Sequence, residues 1–373
     1  MAAYGLYTHI QSNKRRSIAL LIGLFILVYV MVFAGALLAE ALTSRGYNGY
    51  YGSPPLAYLI HAAEFDFIKA LPFATVGAVI WIAIAYKFHQ SLIDAVTGAR
   101  VVTRAEEPRL YNILENLCIS RGITMPALRI ADDEGLNAFA TGMNDKQYSI
   151  TVTQGLLDAL GDAEIEAVLG HELTHIRNGD VRMLVIALVI AGVIGFFGEL
   201  VVRVFFWGGG RSSGSSDRKG GAGAAILIAL AIIVVVWVLS IVIRFALSRQ
   251  REYLADSGSV ELTKNPDAMI SALRKIEGRG EIPGANSAVM EMCIDNPREG
   301  FSNIFDTHPS VEKRVEALVK FAGGHDPGPL EIAPPQEGGD DAQQADAPTP
   351  GPWGDETPQQ SPAQSGPWGP NRS

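Results

Sequence analysis

The sequence predicts a mainly α-helical membrane protein, with four membrane-spanning helices and a soluble domain of helices plus a small β-sheet. Three observations lead there. Hydrophobic residues make up 48% of the 373 and charged residues 18%, a balance that leans towards membrane but is far from a chain lying wholly in lipid. Four segments are apolar enough to approach the ~20 residues that a helix needs to cross a bilayer. Between the second and third of these, and again after the fourth, the chain carries polar sequence with helical and strand-like periodicity broken by turn residues.

The N-terminal stretch 1–16 ends in Lys14, Arg15 and Arg16, and the first span, 17–39, follows without a charge. A secretory signal has an apolar region of only about 7–15 residues. This run is longer and a second span follows, so it reads as a retained anchor. A loop over 40–69 leads to the second span, 70–86, bracketed by Lys69 and Lys87. The third, 182–207, is interrupted by Glu199 and Arg203, and a buried or interfacial helix is its competing reading. A loop over 208–219 and a fourth span, 220–243, rich in Ile and Val, complete the set. Lys and Arg near span ends mark the cytoplasmic side. They put the N-terminus, 87–181 and 244–322 in the cytoplasm, and 40–69 and 208–219 outside. Arg211, Arg218 and Lys219 in the second external loop run against that rule.

In the soluble segments, Leu110, Ile113, Leu114 and Leu117 recur at helical spacing within "EEPRLYNILENLCISRG". "ALRIADD", "LNAFATGM" and "QYSITVT" are short, turn-bounded and strand-like. "GLLDALGDAEIEAVLGHELTHIRNGD" is helical, with a break and a start at Gly161 and Asp162. Two further helices are expected in "RQREYLADSGSVEL" and in "NPDAMISALRKIEG", the latter opened by Asn265 and Pro266. A last helix lies in "THPSVEKRVEALVKF", with Pro309 in its first turn. From Gly323 onward Pro, Gly, Gln, Ser and Asp dominate, and "GPWG" occurs at 351 and at 366. Such composition buries too little apolar surface to order itself, so 323–373 is expected to be a solvated tail. The net charge of −9 speaks against a nucleic-acid partner. Cys118 and Cys293 form no paired motif and read as two separate reduced thiols.

The residues that point to chemistry are His171, Glu172 and His175, an H-E-x-x-H pattern within a predicted helix. Residues four apart share a helix face, so both imidazoles can address one cation. Glu172 is turned about 100° from His171 and can reach a neighbouring water without becoming a ligand. The pattern by itself also fits two surface histidines, but the chain has only seven. Catalytic zinc takes three protein ligands and a water, and two histidines with a glutamate are one such set. "REYLAD" offers Glu252, with Asp256 four residues on; alone, the pair reads equally as ordinary helix charge.

"HELTHIRNGD", "REYLAD", "NAFATG" and "THPSVEKRV", with an apolar hairpin between the first two, resemble the HtpX family of membrane zinc metallopeptidases over roughly residues 1–320. The resemblance implies a gluzincin-type peptidase domain on the cytoplasmic side of the inner membrane. It implies one Zn²⁺ per subunit held by His171, His175 and Glu252, with Glu172 as general base and Asp256 orienting His171. His308 is implied as the group that stabilises the oxyanion, and Arg314 as one that holds His308 or bridges to the zinc helix. The segment containing Asn137, Ala138, Phe139 and Ala140 is implied as the edge strand on which an extended peptide binds. The implied partners are the lipid bilayer and protein substrates, membrane or misfolded ones, in protein quality control and stress response. Two other readings stand beside it. Prenyl-protein (CAAX) peptidases share the core but generally carry more spans. An inactive zinc-stabilised scaffold would have no use for Glu172, His308 and Arg314.

Overall fold

The computed structural model describes residues 6–43, 54–203, 221–245, 250–285, 287–297 and 308–329. The chain separates into two units, Met1–Ile332 and Ala333–Ser373, and the second lies outside the described residues, as do the expected loop 208–219 and both "GPWG" repeats.

Helix α1 runs Leu6–Thr43 and α2 Leu56–Thr97, both well past the apolar segments that predict them. For α2 the physical reason is local. Pro72 is the only proline within it, and no stop is reached until Gly98, which adopts φ 68 as the left-handed C-cap. At 1.5 Å per residue this helix is about 63 Å long, twice the ~30 Å thickness of a hydrocarbon core. Much of the expected loop 40–69 and the first residues of the expected soluble segment therefore belong to it. Helix α6 is Asp180–Arg203 and α7 Gly221–Phe245. The described helices include three long and apolar enough to cross a membrane. A fourth arises only if α6 is joined to the preceding helix across a 75° bend. Leu24, Val28 and Met31 of α1 pack on Ile186, Ile190 and Val193 of α6. Leu37, Leu59 and Ala63 meet Ala225 and Ala229 at the other end of α1.

Beyond Gly98 the chain forms β1 (Ala99–Val101), α3 (Pro108–Arg121), β2 (Ala127–Ala131), β3 (Ala138–Thr141) and β4 (Ser149–Thr153). The sheet order is β1-β2-β4-β3, with β2 and β4 parallel and the outer pairs antiparallel. The three expected strands are present; β1 is new, too short and polar to show a period. The end of α2 is fastened to this sheet. Gln90 Oε1 accepts from Ser149 Oγ at 3.0 Å, and Asp94 pairs with Arg129 at 2.6 Å. A rigid helix thus ties the apolar bundle to the soluble domain.

The remaining elements are α4 (Gln154–Ala159), α5 (Asp162–Asn178), α8 (Gln250–Thr263), α9 (Pro266–Ile276), α10 (Ser287–Met290) and α11 (Val311–Ala322). Asn265 caps α9, its side chain accepting from Ala268 N. Helix α11 starts later than expected: Ser310 is the N-cap, so Pro309 lies outside the helix rather than in its first turn. The tail also begins later than composition suggests. Arg274 is only 5% exposed and needs carboxylates, and Asp326 supplies two contacts at 2.6 and 3.0 Å, which hold residues just past Gly323 against α9. Both cysteines are buried and neither is in a disulfide.

The core of the soluble domain lies where α5 crosses α8 under the sheet, with Ile165, Leu169 and Leu173 packed among Leu114, Ile150 and Leu273. The crossing is close because small residues face it. A Cβ added at Gly258 would lie 2.4 Å from Thr174 Cγ2, and Ser259 Oγ donates to the Ala167 carbonyl at 2.6 Å. Gly258→Ala is expected to cost about 1–3 kcal/mol through overpacking of this interface. A fall in the thermal unfolding midpoint of the purified protein checks it; an unchanged midpoint would show that α8 can slide without loss.

Candidate metal centre

Helix α5 opens at Gly161, whose N–H donates to the Glu164 carboxylate at 2.8 Å, and ends at Gly179 with φ 75. Between them His171 and His175 sit one turn apart, 1% and 8% exposed, with Nε2 atoms 3.1 Å from each other. The α5–α8 crossing brings Glu252, from the first turn of α8, against this face. Its Oε2 lies 3.6 Å from His171 Nε2 and 3.7 Å from His175 Nε2. Ligand atoms placed tetrahedrally at zinc bond lengths are separated by about 3.4 Å. The triangle of 3.1, 3.6 and 3.7 Å matches that spacing. It is the set of three donors within the described residues that could hold a metal ion.

The chemistry of the donors points the same way. Glu252 Oε1 accepts from Arg251 Nε at 3.0 Å, while Oε2 is buried with no hydrogen bond and faces the two ring nitrogens. Leaving a buried acceptor unsatisfied costs roughly 1–3 kcal/mol, more for a charged one, so a cation between these atoms is the natural complement. Burial pushes the Glu252 carboxyl up, but His308 and His175 outweigh it and hold it well below the usual carboxylate range. Burial works against a charged His175, yet the Glu252 charge and the Asp180 hydrogen bond raise it to about 10. A pocket that draws a proton so strongly is one built for positive charge. Glu172, 1% exposed, lines the same cavity, and burial raises its carboxyl above the ordinary value.

Asp256, one turn beyond Glu252, places Oδ1 2.9 Å from His171 Nδ1. Arg314, 1% exposed, grips this carboxylate with two bonds, Nε to Oδ2 at 2.9 Å and Nη2 to Oδ1 at 2.6 Å, while Nη1 donates to the Ile294 carbonyl at 3.0 Å. The guanidinium therefore bridges to the metal helix through Asp256, and its Nη2 also lies 3.5 Å from His171 Nδ1. Burial opposes ionisation of Asp256, but Arg314 lowers its pKa. His308 reaches the cluster: Nδ1 is 3.4 Å from Glu252 Oε2, and Nε2 lies 3.2 Å from the Glu291 carbonyl.

The edge-strand residues divide. β3 is the outermost strand, but the Ala138 carbonyl accepts from Ile294 N at 3.0 Å and Phe139 forms a bridge with Cys293. Asn137 is fully buried, and its Nδ2 donates to the carbonyls of Gly280 at 2.6 Å and Asp295 at 2.8 Å. Its side-chain amide thereby fastens Gly280 and Asp295 to the start of β3. Ala140 does line the cavity. With Met292–Ile294 in place the cavity at the donors measures about 10 Å³, near the size that holds one water.

Three residues escape sequence reading. Asp180, fully buried, has Oδ2 3.0 Å from His175 Nδ1. Its signal is a charge five residues past His175, beyond a glycine break and at the entry to an apolar run. Arg251 and Ile294 act through a neighbouring carboxylate and a backbone carbonyl, and neither leaves a pattern.

The model of peptidase family M48 matches residues 104–322, more than half of the chain and spanning every one of these site residues. The chain belongs to peptidase family M48. It is 37% identical over 329 residues to a protease HtpX homolog of Bacteroides fragilis, covering 86% of this chain and all of that one. It is 35% identical over 318 residues to a protease HtpX homolog of Lactobacillus acidophilus, covering 84% and 99%. The crystal structure of S. mikatae Ste24p aligns at 18% identity over 68% of this chain and 65% of that one, with a TM-score of 0.37, too low to bear on the fold. The resemblance to the HtpX family holds, and this M48 protein is a membrane metallopeptidase. Arg314→Ala leaves Asp256 buried without its cation and is expected to destabilise the peptidase by about 3–5 kcal/mol. Adding Asp256→Asn should recover part of that loss in denaturant unfolding; two additive losses would mean the pair is not coupled.

Proposed function

We propose that the peptidase holds one Zn²⁺ between His171 Nε2, His175 Nε2 and Glu252 Oε2 and cleaves peptide bonds of membrane or misfolded proteins at the cytoplasmic face. The observation that carries the reading is the triangle of buried donors, one of them a carboxylate oxygen without a hydrogen bond. Zinc, when bound, supplies a Lewis acid that acidifies water and polarises a carbonyl. Glu172 takes the proton of the attacking water and returns it to the leaving amine. His308, beside the donors, stabilises the negative charge that develops on the carbonyl oxygen. Asp256 and Arg314 fix the His171 ring and so act by positioning. An extended substrate pairs with Ala138–Ala140 by strand addition, taking the place that Cys293 and Ile294 occupy on that edge.

The same proposal has α1, α2, α6 and α7 as four spans of the inner membrane, with the N-terminus and the peptidase domain in the cytoplasm. Lys14–Arg16, Lys87 and Arg251 near the span ends support that side. The 75° bend at Gly179 turns α5 away from the α6 axis, which suits a metal helix lying at the bilayer surface. Substrates are then membrane proteins or their exposed cytoplasmic segments.

Glu172→Gln should retain zinc by metal analysis and lose casein hydrolysis in detergent, because the amide accepts no proton. Glu252→Ala should lose both together. His308→Ala should keep zinc and lower kcat on a fluorogenic peptide by about 10²–10³. Full activity of Glu172→Gln would remove the general-base assignment, and full zinc in Glu252→Ala would place the third ligand elsewhere. For topology, a reporter fused at Ser213 should read external and one at Asp145 cytoplasmic; cytoplasmic signal at both would reduce α6 and α7 to a hairpin that dips without crossing.

A further inference from the structure

Asn13 lies in α1, before the uncharged part of that helix, yet it is only 1% exposed. Its Nδ2 donates to two acceptors on either side of the Gly179 break: the Asn178 carbonyl at 3.0 Å and Asp180 Oδ1 at 2.6 Å. Asp180, fully buried, turns its other oxygen to His175 Nδ1 at 3.0 Å. The opposite nitrogen of that ring, Nε2, is one of the three donors of the metal triangle. An unbroken run of hydrogen bonds thus leads from the first membrane helix to a metal ligand.

The arrangement has physical consequences. The Asn178 carbonyl belongs to the last turn of α5, where intrahelical partners are missing, so the amide satisfies a group that the helix cannot. By holding residues 178 and 180 together it sets the angle at which α6 leaves α5. A carboxylate that accepts from the far nitrogen of a ligating histidine fixes its tautomer and orientation and strengthens it as a donor. Asp180 turns one oxygen to His175, and Asn13 donates to the other.

We infer that Asn13 is a positioning residue of the metal centre: through Asp180 it orients His175, so the first membrane helix sets metal affinity as well as anchoring the chain. This rests on the metal reading above, and the two fail separately. The experiment measures the zinc dissociation constant of the full-length protein in detergent, by competition with a chromogenic chelator, for wild type, Asn13→Ala, Asp180→Ala and the double variant. Asp180→Ala is expected to weaken zinc by about 10- to 100-fold, and Asn13→Ala by about 3- to 10-fold. In the Asp180→Ala background, Asn13→Ala is expected to add nothing further. The visible spectrum of the Co²⁺-substituted protein should shift in both single variants, which a loss of helix packing alone would not produce. If Asn13→Ala cannot be purified, Asn13→Asp, equal in size but without the amide donor, is read in the same titration and is expected to weaken zinc likewise. Unchanged zinc affinity in the Asn13 variant overturns the inference, and so does an equal loss with and without Asp180. Wild-type protein that binds no zinc would instead overturn the metal reading itself.

Discussion

Everything in the soluble domain converges on one constraint: Glu252 is a buried carboxylate with an oxygen that no hydrogen bond reaches, facing two buried imidazoles. Such an arrangement is stable only with a positive charge among the three groups. The close crossing of α5 and α8 creates it. Glycine at 258 and serine at 259 let the two backbones approach. The Asp256–Arg314 pair then closes the cluster from behind. It brings α11 onto α8 and makes the far end of the chain part of the site.

The apolar helices enter the same logic from the other side. α2 carries its helical geometry out of the bundle and into Gln90 and Asp94, where it grips the sheet. α6 begins at Asp180, directly behind His175, and α1 reaches that junction with Asn13. The donor triangle is therefore braced by α8 on one face and by the apolar helices α1 and α6 on the other.

Segment 291–294 introduces a tension into this scheme. It supplies the Ile294 carbonyl to Arg314 and the Glu291 carbonyl to His308, so it helps order the site. It also covers the β3 edge and leaves the donors a cavity of about 10 Å³. Under the proposed strand addition, a substrate would compete with this segment for the same backbone groups, and Asn137 holds Gly280 and Asp295 on either side of it.

Read from the sequence by itself, the chain declares its apolar segments, its helix pattern, three of the four strands among the described residues and the two histidines of the metal triangle. Each of these is a local or short-period property: hydrophobic run length, 3.6-residue spacing, or two histidines one turn apart. Helix extents were less legible, because α2 meets no stop signal where its apolar run ends, and the run of polar residues beyond it is helix-compatible. The tertiary structure alone decided what depends on distant segments meeting. Glu252 meets the two histidines because α8 crosses α5 at two small residues. Arg314 grips Asp256, and Asn137 holds the carbonyls of Gly280 and Asp295. Asp180 and Asn13 join the site through hydrogen bonds that no spacing in the chain encodes, since residues 13 and 180 are neighbours only after the first helix has packed against the bend at Gly179.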